Sequence, residues 1–343
     1  MAITTNDIAK IAGVSQSTVS RCLNNSSLVS EKTKKRIKKI AEELGFEFNA
    51  NARSLSTSKT GTIGVIYPEN FADFSINFYF SSLHNQLRES LEREDLDLIV
   101  AFSKNRFTGK NNIKKLITRK KIDGLIIVHS QLDDETLSFL NNSKVPFVFL
   151  HHYLSLDDSE DADVIYTDHF KGGYLATEHL IKLGHQKIMC ISAVGEGDEF
   201  KLRTQGYKAA LSNYNLSFDE QLLFYGDITF QSSYRIVKEN VEKLKKISAI
   251  FAQTDMMALG AMEALRELHI EVPQDIALVG YDDIELSTCF KPYLTTIHQP
   301  REEISLLACE RLIELLNSNK PIKKRKIAIQ PKLIIRESCG SKK

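Results

Sequence analysis

The apolar positions change period along the chain, and the changes divide it. From Thr4 to Gly45 they follow a helical rhythm. Ile8, Ala9 and Ala12 share one face, and Thr4-Thr5-Asn6-Asp7 has the spacing of a capping box, which predicts a helix starting near residue 5. Gly13 supplies a left-handed turn residue, Val14 plugs the gap beneath it, and Ser15 is a good N-cap for a second helix that turns Val19 and Leu23 inward. A third helix follows Ser30, with Ile37, Ile40, Ala41 and Leu44 as its stripe and Gly45 as its stop. A helix, a glycine turn and a second helix this close together form the helix-turn-helix plan. The second helix leaves Gln16, Ser17, Thr18 and Arg21 facing outward, side chains suited to base edges and phosphates.

From residue 61 short apolar runs of strand length alternate with helical stripes. Thr62–Tyr67, Leu96–Phe102, Asp123–Val128 and Pro146–Leu150 read as strands, with Leu83/Leu87/Leu91, Ile113/Leu116/Ile117 and Leu137–Leu140 as helices between them. A second series follows. Its predicted strands are Val164–Tyr166, Lys187–Ser192, Leu222–Tyr225, Ser248–Ala252 and Asp275–Gly280. Its predicted helices are Gly173–Leu183, Phe200–Leu211, Ser233–Leu244, Asp255–Leu268 and Pro300–Leu316. This alternation predicts parallel sheets covered on both faces. Two such series predict two α/β subdomains with a ligand cleft at the carboxyl ends of their strands. The expected division is a head over residues 1–48, a polar connecting segment over 49–60, and a body over 61–340.

Charge sharpens this picture. The formal net charge is only +1, but residues 1–59 hold ten Lys/Arg against five acids, whereas the rest of the chain is net acidic. A basic head on a mildly acidic body points to a polyanion partner for the head. The third helix carries Lys32, Lys34, Lys35, Arg36, Lys38 and Lys39, which predicts a salt-sensitive pull on phosphates. No run of apolar residues is long enough to span a membrane, and the N-terminus lacks a secretory pattern, so a cytoplasmic protein without membrane association is expected. Five scattered cysteines without a CxxC predict reduced thiols and no zinc ribbon.

At these residues the chain resembles a known family. Thr5-Asn6-Asp7-Ile8-Ala9-Lys10-Ile11-Ala12-Gly13-Val14-Ser15-Gln16-Ser17-Thr18-Val19-Ser20-Arg21, Asn24, Val29-Ser30 and Ala41-Glu42-Glu43-Leu44-Gly45-Phe46 look like the DNA-binding head of the LacI/GalR family of bacterial transcription regulators. Asn49-Ala50-Asn51-Ala52-Arg53-Ser54-Leu55 resembles the hinge helix of that family. The resemblance continues through Glu178–His185, Thr254–Met262, Val279–Asp283, Leu294–Ile297 and Pro331–Ser338, and so covers nearly the whole chain. It implies an N-terminal all-α helix-turn-helix head and an α/β body of two parallel-sheet subdomains, similar in fold to periplasmic binding proteins. It also implies a DNA interface of Thr5, Ser15, Gln16, Ser17, Thr18, Arg21, Asn24 and Asn49. In that reading Ala52 and Leu55 enter the minor groove, where a leucine wedge bends the duplex. Leu55 is alternatively an ordinary linker residue. The implied partners are a pseudo-palindromic double-stranded operator, a second copy of the chain and a small effector, a sugar or sugar derivative.

Within the body the resemblance implies an effector site. Arg203, in Arg203-Thr204-Gln205-Gly206-Tyr207, matches the family arginine that grips a ligand oxygen, and a planar guanidinium suits vicinal hydroxyls or a carboxylate. A surface ion pair is the other role open to it. Asp282 matches an aspartate that accepts from ligand hydroxyls or amines, and Asp168 stands near the crossover between subdomains. Tyr79 and Phe80 fit either a ligand-lining or a core role. His151 stands where the family usually has Asp, Ile228 where an aromatic ring is frequent, and Thr254 in place of the usual Asn; Glu199 adds an acid beside the cleft. These departures leave a sugar, a phosphorylated sugar, a purine or no small ligand open.

No catalytic pattern competes. Gly195-Glu196-Gly197 lacks the third glycine of a dinucleotide loop, and no Walker loop or nucleophile elbow is present. The histidines lack zinc-site spacing, so neither cofactor nor metal is expected. A transport protein, a sugar-acting enzyme with a helical appendage, and a regulator that senses a partner protein are the rivals. The expected function is a dimeric repressor of carbohydrate-use genes.

Overall fold

The computed structural model describes residues 3–23, 26, 28–46, 59–67, 78–128, 132–151, 162–193, 198–318 and 320–341. The head is three helices, α1 (Thr5–Ala12), α2 (Gln16–Leu23) and α3 (Glu31–Glu43). Each starts where a side-chain oxygen satisfies a backbone N–H. Thr4 and Asp7 form a reciprocal capping box, Ser15 Oγ accepts from Thr18 N at 3.2 Å, and Ser30 Oγ accepts from Thr33 N. Gly13 ends α1 in the left-handed region at φ 63°. Ile8, Val19, Cys22 and Ile37 fill the centre, with Leu23, Val14 and Phe46 around them. Leu23 packs against this core as expected, partly buried, and Cys22 joins Val19 at its fully buried centre.

Two of the six cations expected on the outside of α3 are structural. Lys34 is buried, with Nζ 2.7 Å from Glu31 Oε1. Arg36 Nη2 donates to Ala12 O at 2.7 Å, satisfying an orphan carbonyl at the end of α1. Lys32, Lys35, Lys38 and Lys39 are exposed.

The body runs β1 (Thr62–Tyr67), α4 (Phe78–Glu92), β2 (Asp97–Phe102), α5 (Asn112–Thr118), β3 (Gly124–Val128), α6 (Asp134–Asn142), β4 (Phe147–Leu150) and β5 (Val164–Thr167). It continues as α7 (His169–Lys182), β6 (Ile188–Ala193), α8 (Asp198–Asn213), β7 (Leu223–Gly226), α9 (Phe230–Glu239), α10 (Val241–Leu244), β8 (Ala249–Ala252), α11 (Asp255–Glu267), β9 (Ala277–Asp282), β10 (Thr295–His298), α12 (Arg301–Asn317), β11 (Lys326–Ile329) and β12 (Lys332–Ile334). The strands form two six-stranded sheets, ordered β11-β5-β4-β3-β1-β2 and β12-β10-β9-β8-β6-β7. Pairing is parallel throughout except between β10 and β12.

Neither lobe is a continuous stretch of chain. It crosses between lobes at Asp168, at Gln299-Pro300 and at Gln330-Pro331. The helix expected to close the second series, α12, instead packs on the first sheet. Its Ile304, Ala308 and Leu312 join Leu83, Leu87 and Leu91 of α4 over β1, β3 and β4. Its stripe fits the apolar face that α4 leaves open, and a pattern read in chain order cannot show that return. The helix expected over Ser233–Leu244 is two pieces broken at Asn240. The strand expected at Leu222 starts one residue later, after a 3-10 turn capped by Asp219. The strand expected over Asp275–Gly280 runs from Ala277 to Asp282, which places Asp282 at a strand's carboxyl end.

Among the described residues, no helix is long and apolar enough to cross a membrane, and no cluster of His, Cys, Asp or Glu has the makings of a metal site.

Candidate functional site

The head presents one face built from two helix starts. Gln16 Nε2 donates to Thr5 Oγ1 at 3.0 Å, and Ser15 Oγ lies 2.8 Å from both Ser17 Oγ and Thr18 Oγ1. Thr5, Ser15, Gln16, Ser17 and Thr18 are thereby brought together, with Arg21 exposed one turn along α2. A helix N-terminus surrounded by hydroxyls offers N–H donors to a phosphate, while exposed Gln16, Ser17 and Arg21 extend toward whatever lies beyond. Asn24, Asn49, Ala52 and Leu55 lie outside the described residues, as does the whole expected hinge helix.

In the body, four of the residues expected at the effector site meet in a buried network where the lobes join. Tyr79, in the first turn of α4, has its hydroxyl 2.8 Å from His151 Nε2, just after β4. The His151 ring stacks beside His169, with centroids 6.3 Å apart. His169, in the first turn of α7, places Nδ1 2.8 Å from the hydroxyl of Tyr281. Arg203, on α8, lies 3.7 Å over the Tyr281 ring, donates through Nε to His169 Nδ1 and through Nη1 to Gln253 O, and stands 3.9 Å from Asp282 Oδ1. Tyr79 and His151 belong to the first lobe and the others to the second, so the two hydrogen-bonded groups meet across the junction through the stacked His151 and His169 rings. Phe80 packs edge-on against Tyr79.

Asp282 is held from three sides. Its Oδ1 accepts from Gln299 Nε2 at 2.6 Å, while Gln299 Oε1 accepts from Thr167 Oγ1 at the end of β5, tying two crossing strands to the strand end. Arg301 donates to the carbonyls of Asp282 and Asp283, both of which have positive φ. A non-glycine pair in that region is strained, and the clamp from Arg301 is what holds it. Burial pushes the Asp282 carboxyl up to about 6, against the pull of Arg203 and Gln299. Burial likewise pushes the neighbouring Asp255 well up, although Thr296 and the Ile284 N–H donate to it. Asp283 goes the other way, to about 2; burial opposes this, but His298 and Arg336 hold it ionised. Two adjacent carboxyls thus have opposite tendencies, the unbalanced one toward the lobe junction.

The remaining expected residues divide. Asp168 caps α7, accepting from Lys171 N, and its other oxygen accepts from Gln330 at the third crossing. Thr254 caps α11, accepting from Met257 N. Glu199 sits half-buried in the first turn of α8, and Ile228 is an exposed residue with φ 68° after β7. Asp168 acts on the network through its charge on Tyr281, whereas the Thr254 hydroxyl is engaged as a cap and Ile228 is exposed. Sequence reasoning passed over His169, Tyr281, Gln253 and Gln299. The first two flank residues it did select, so adjacency to Asp168 and Asp282 was the available signal.

Comparison with known proteins agrees with this architecture. The family model described as "Bacterial regulatory proteins, lacI family" matches residues 4–49, and "Periplasmic binding protein-like domain" matches residues 177–339. The chain is 33% identical over 338 residues to the HTH-type transcriptional repressor PurR of Aliivibrio fischeri (strain MJ11), covering 98% of each chain. It superposes on the Lac repressor dimer bound to operator and the anti-inducer ONPF with TM-score 0.77 and 27% identity, covering 99% of each chain. It also superposes on the transcriptional regulator CelR in complex with cellobiose with TM-score 0.71 and 27% identity, covering 98% of this chain and 99% of that one. A trihelical head with its polar face on α2, a two-lobed body joined by three crossings, and end-to-end similarity to such repressors establish that this chain belongs to the LacI/GalR family of DNA-binding transcriptional repressors, with an effector-binding domain behind its helix-turn-helix head.

Proposed function

We propose that the protein is a homodimeric cytoplasmic repressor whose hold on a pseudo-palindromic operator is set by a sugar or sugar derivative bound between the lobes. In this reading residues 1–48 bind DNA, 49–60 form the hinge and linker, and 61–340 sense the effector and dimerise. The observation that carries it is the buried Tyr79–His151–His169–Tyr281–Arg203 network beside Asp282. A ligand that hydrogen-bonds Asp282 or displaces Tyr79 alters contacts in both lobes at once. It shifts DNA occupancy to the extent that it favours one lobe arrangement over the other. Ionised Asp282 accepts from hydroxyls, and Phe80 supplies an aromatic edge against which a polyhydroxylated ring packs. Similarity to the cellobiose-bound regulator supports the same class.

Similarity to repressors named PurR favours a second reading, a purine effector and purine-related genes. For the dimer face we assign the apolar groove of about 800 Å³ lined by Phe230, Met256, Met262, Leu286 and Phe290, where Phe290 is 59% exposed. The Lac repressor, which superposes on this chain end to end, is dimeric on its operator.

The deciding experiment is a thermal-shift screen of sugars, sugar phosphates and nucleobases on the parent protein and Asp282→Asn. The expected result is a sugar that raises the parent's melting temperature and not the variant's. A nucleobase behaving this way transfers the assignment to the purine reading. No response to any of the three classes removes the small-effector proposal.

A further inference from the structure

The first sheet has a charged end that the family assignment does not use. Its strands are all parallel, so every strand's N-terminal end lies on one rim. Before β3 come Arg119, Lys120 and Lys121; before β4 comes Lys144; before β11 comes Lys323, and Lys326 opens that strand. All six are exposed, and among the described residues none makes an ion pair. Among the described residues, Asp123 and Asp163 on this stretch of rim are already engaged. Both oxygens of Asp123 accept from Thr60 and Gly61, and Asp163 is buried against Arg311 and Lys324. Exposed Glu94, Asp95 and Asp97 cluster instead at the β2 corner. Among the described residues the rim is therefore basic from β11 to β1 and acidic at its β2 corner; Asp157, Asp158, Glu160 and Asp161, which precede β5, lie outside the described residues.

The Asp123 contacts also fix where the head is tethered. Thr60 N and Oγ1 lie 2.7 and 3.0 Å from Asp123 Oδ1, and Gly61 N lies 2.8 Å from Oδ2, so the chain enters the body on this same rim. Phe46, the last core residue of the head, is separated from Lys59 by residues 47–58. Fully extended, that stretch of chain reaches at most about 45 Å. The head is therefore tethered within that distance of the rim. With strands about 4.8 Å apart, the basic stretch from β11 to β3 is roughly 15 Å wide, enough for two or three successive phosphates.

We propose that this rim of the body is a second, sequence-independent contact to the duplex backbone, with phosphates lying along β11–β3 and the acidic β2 corner turned away from the DNA. The contact adds affinity and salt dependence while the head reads sequence. It rests on the family's DNA-binding role, and the test separates the two.

The test uses the full-length protein and a random-sequence duplex of about 40 base pairs, long enough for head and rim together. Binding is followed by fluorescence anisotropy from about 50 to 200 mM KCl for three proteins. These are the parent, the combined Arg119→Gln, Lys120→Gln, Lys121→Gln variant, and a charge-matched control with Lys187→Gln, Lys208→Gln and Lys246→Gln in the second lobe. The rim variant is expected to lower the slope of log K against log salt by about 2 to 3, and the control to leave it unchanged. Over that salt range the parent then loses about 16- to 64-fold more affinity than the rim variant. Equal slopes for parent and rim variant, or an equal drop in the control, overturn the rim contact while leaving the head's role intact. A parent that binds no duplex at all overturns the DNA-binding role itself.

Discussion

Replacing Arg203 by methionine keeps most of the side-chain volume and removes the guanidinium from the lobe junction. In the parent that group is 3% exposed, donates to Gln253 O and His169, and faces Asp282. A buried carbonyl deprived of its donor costs about 1–3 kcal/mol. A buried charge left without its partner brings the total to about 3–5 kcal/mol. Much of this loss depends on pH. Burial already raises Asp282 to about 6, and Arg203 is the largest influence pulling it down. Without the cation it rises further, and each additional unit costs about 1.4 kcal/mol once the group must ionise. A carboxyl whose folded-state value is raised binds its proton more tightly folded than unfolded, so stability falls as pH rises toward the folded value. At about pH 5 both folded proteins keep Asp282 mostly protonated and this part of the loss is absent; it develops between about pH 6 and 8. Asp255 and Arg301 border the same carboxyl in both proteins, so the difference between variant and parent isolates Arg203. Urea denaturation followed by far-ultraviolet circular dichroism at the two pH values measures it. An equal loss at both would refute the coupling of Arg203 to Asp282.

Other substitutions probe the remaining parts. Gly206→Ala places a methyl 2.1 Å from Phe170 O where α7 and α8 cross; it should destabilise the second lobe by about 1–3 kcal/mol, read as a lower melting temperature, and an unchanged melt would show that the helices separate freely. Tyr79→Phe removes the hydroxyl that meets His151, so effector control of operator binding should be lost while binding without effector persists; a normal response would place the coupling elsewhere. In selections from a random duplex library, Gln16→Ala should relax preference at one base position by about 1–3 kcal/mol, whereas Lys35→Gln should weaken all sequences alike. The reverse pattern would reassign the reading face.

The head was legible because its signals are local. Capping residues, a glycine in the left-handed region and a helical apolar rhythm each act within a few positions, and all three helices begin at the oxygens that the sequence offers. Two of its cations were misplaced: Lys34 is claimed by a carboxylate one turn away, and Arg36 by the end of α1, which only the packing of the helices brings near. The body was legible as alternation, but its closure was not. Nothing in the periodicity of α12 distinguishes the two sheets, and only the shape of the face left by α4 decides. The junction network joins residues from Tyr79 to Asp282, and such a distant pairing leaves no spacing to read. The basic rim was hidden in the same way, because its cations are scattered over the chain from Arg119 to Lys326 and diluted by the body's net negative charge.

The three crossings between lobes have a consequence for biosynthesis. The head's interior is complete once Phe46 has emerged from the ribosome. The first lobe lacks a covering helix and an edge strand until α12 and β11 arrive, close to the end of the 343-residue chain. During translation the DNA-binding head is therefore finished first, and the effector-binding domain is finished last. A message truncated late in its reading frame yields a polypeptide with an intact reader and an unclosed sensor.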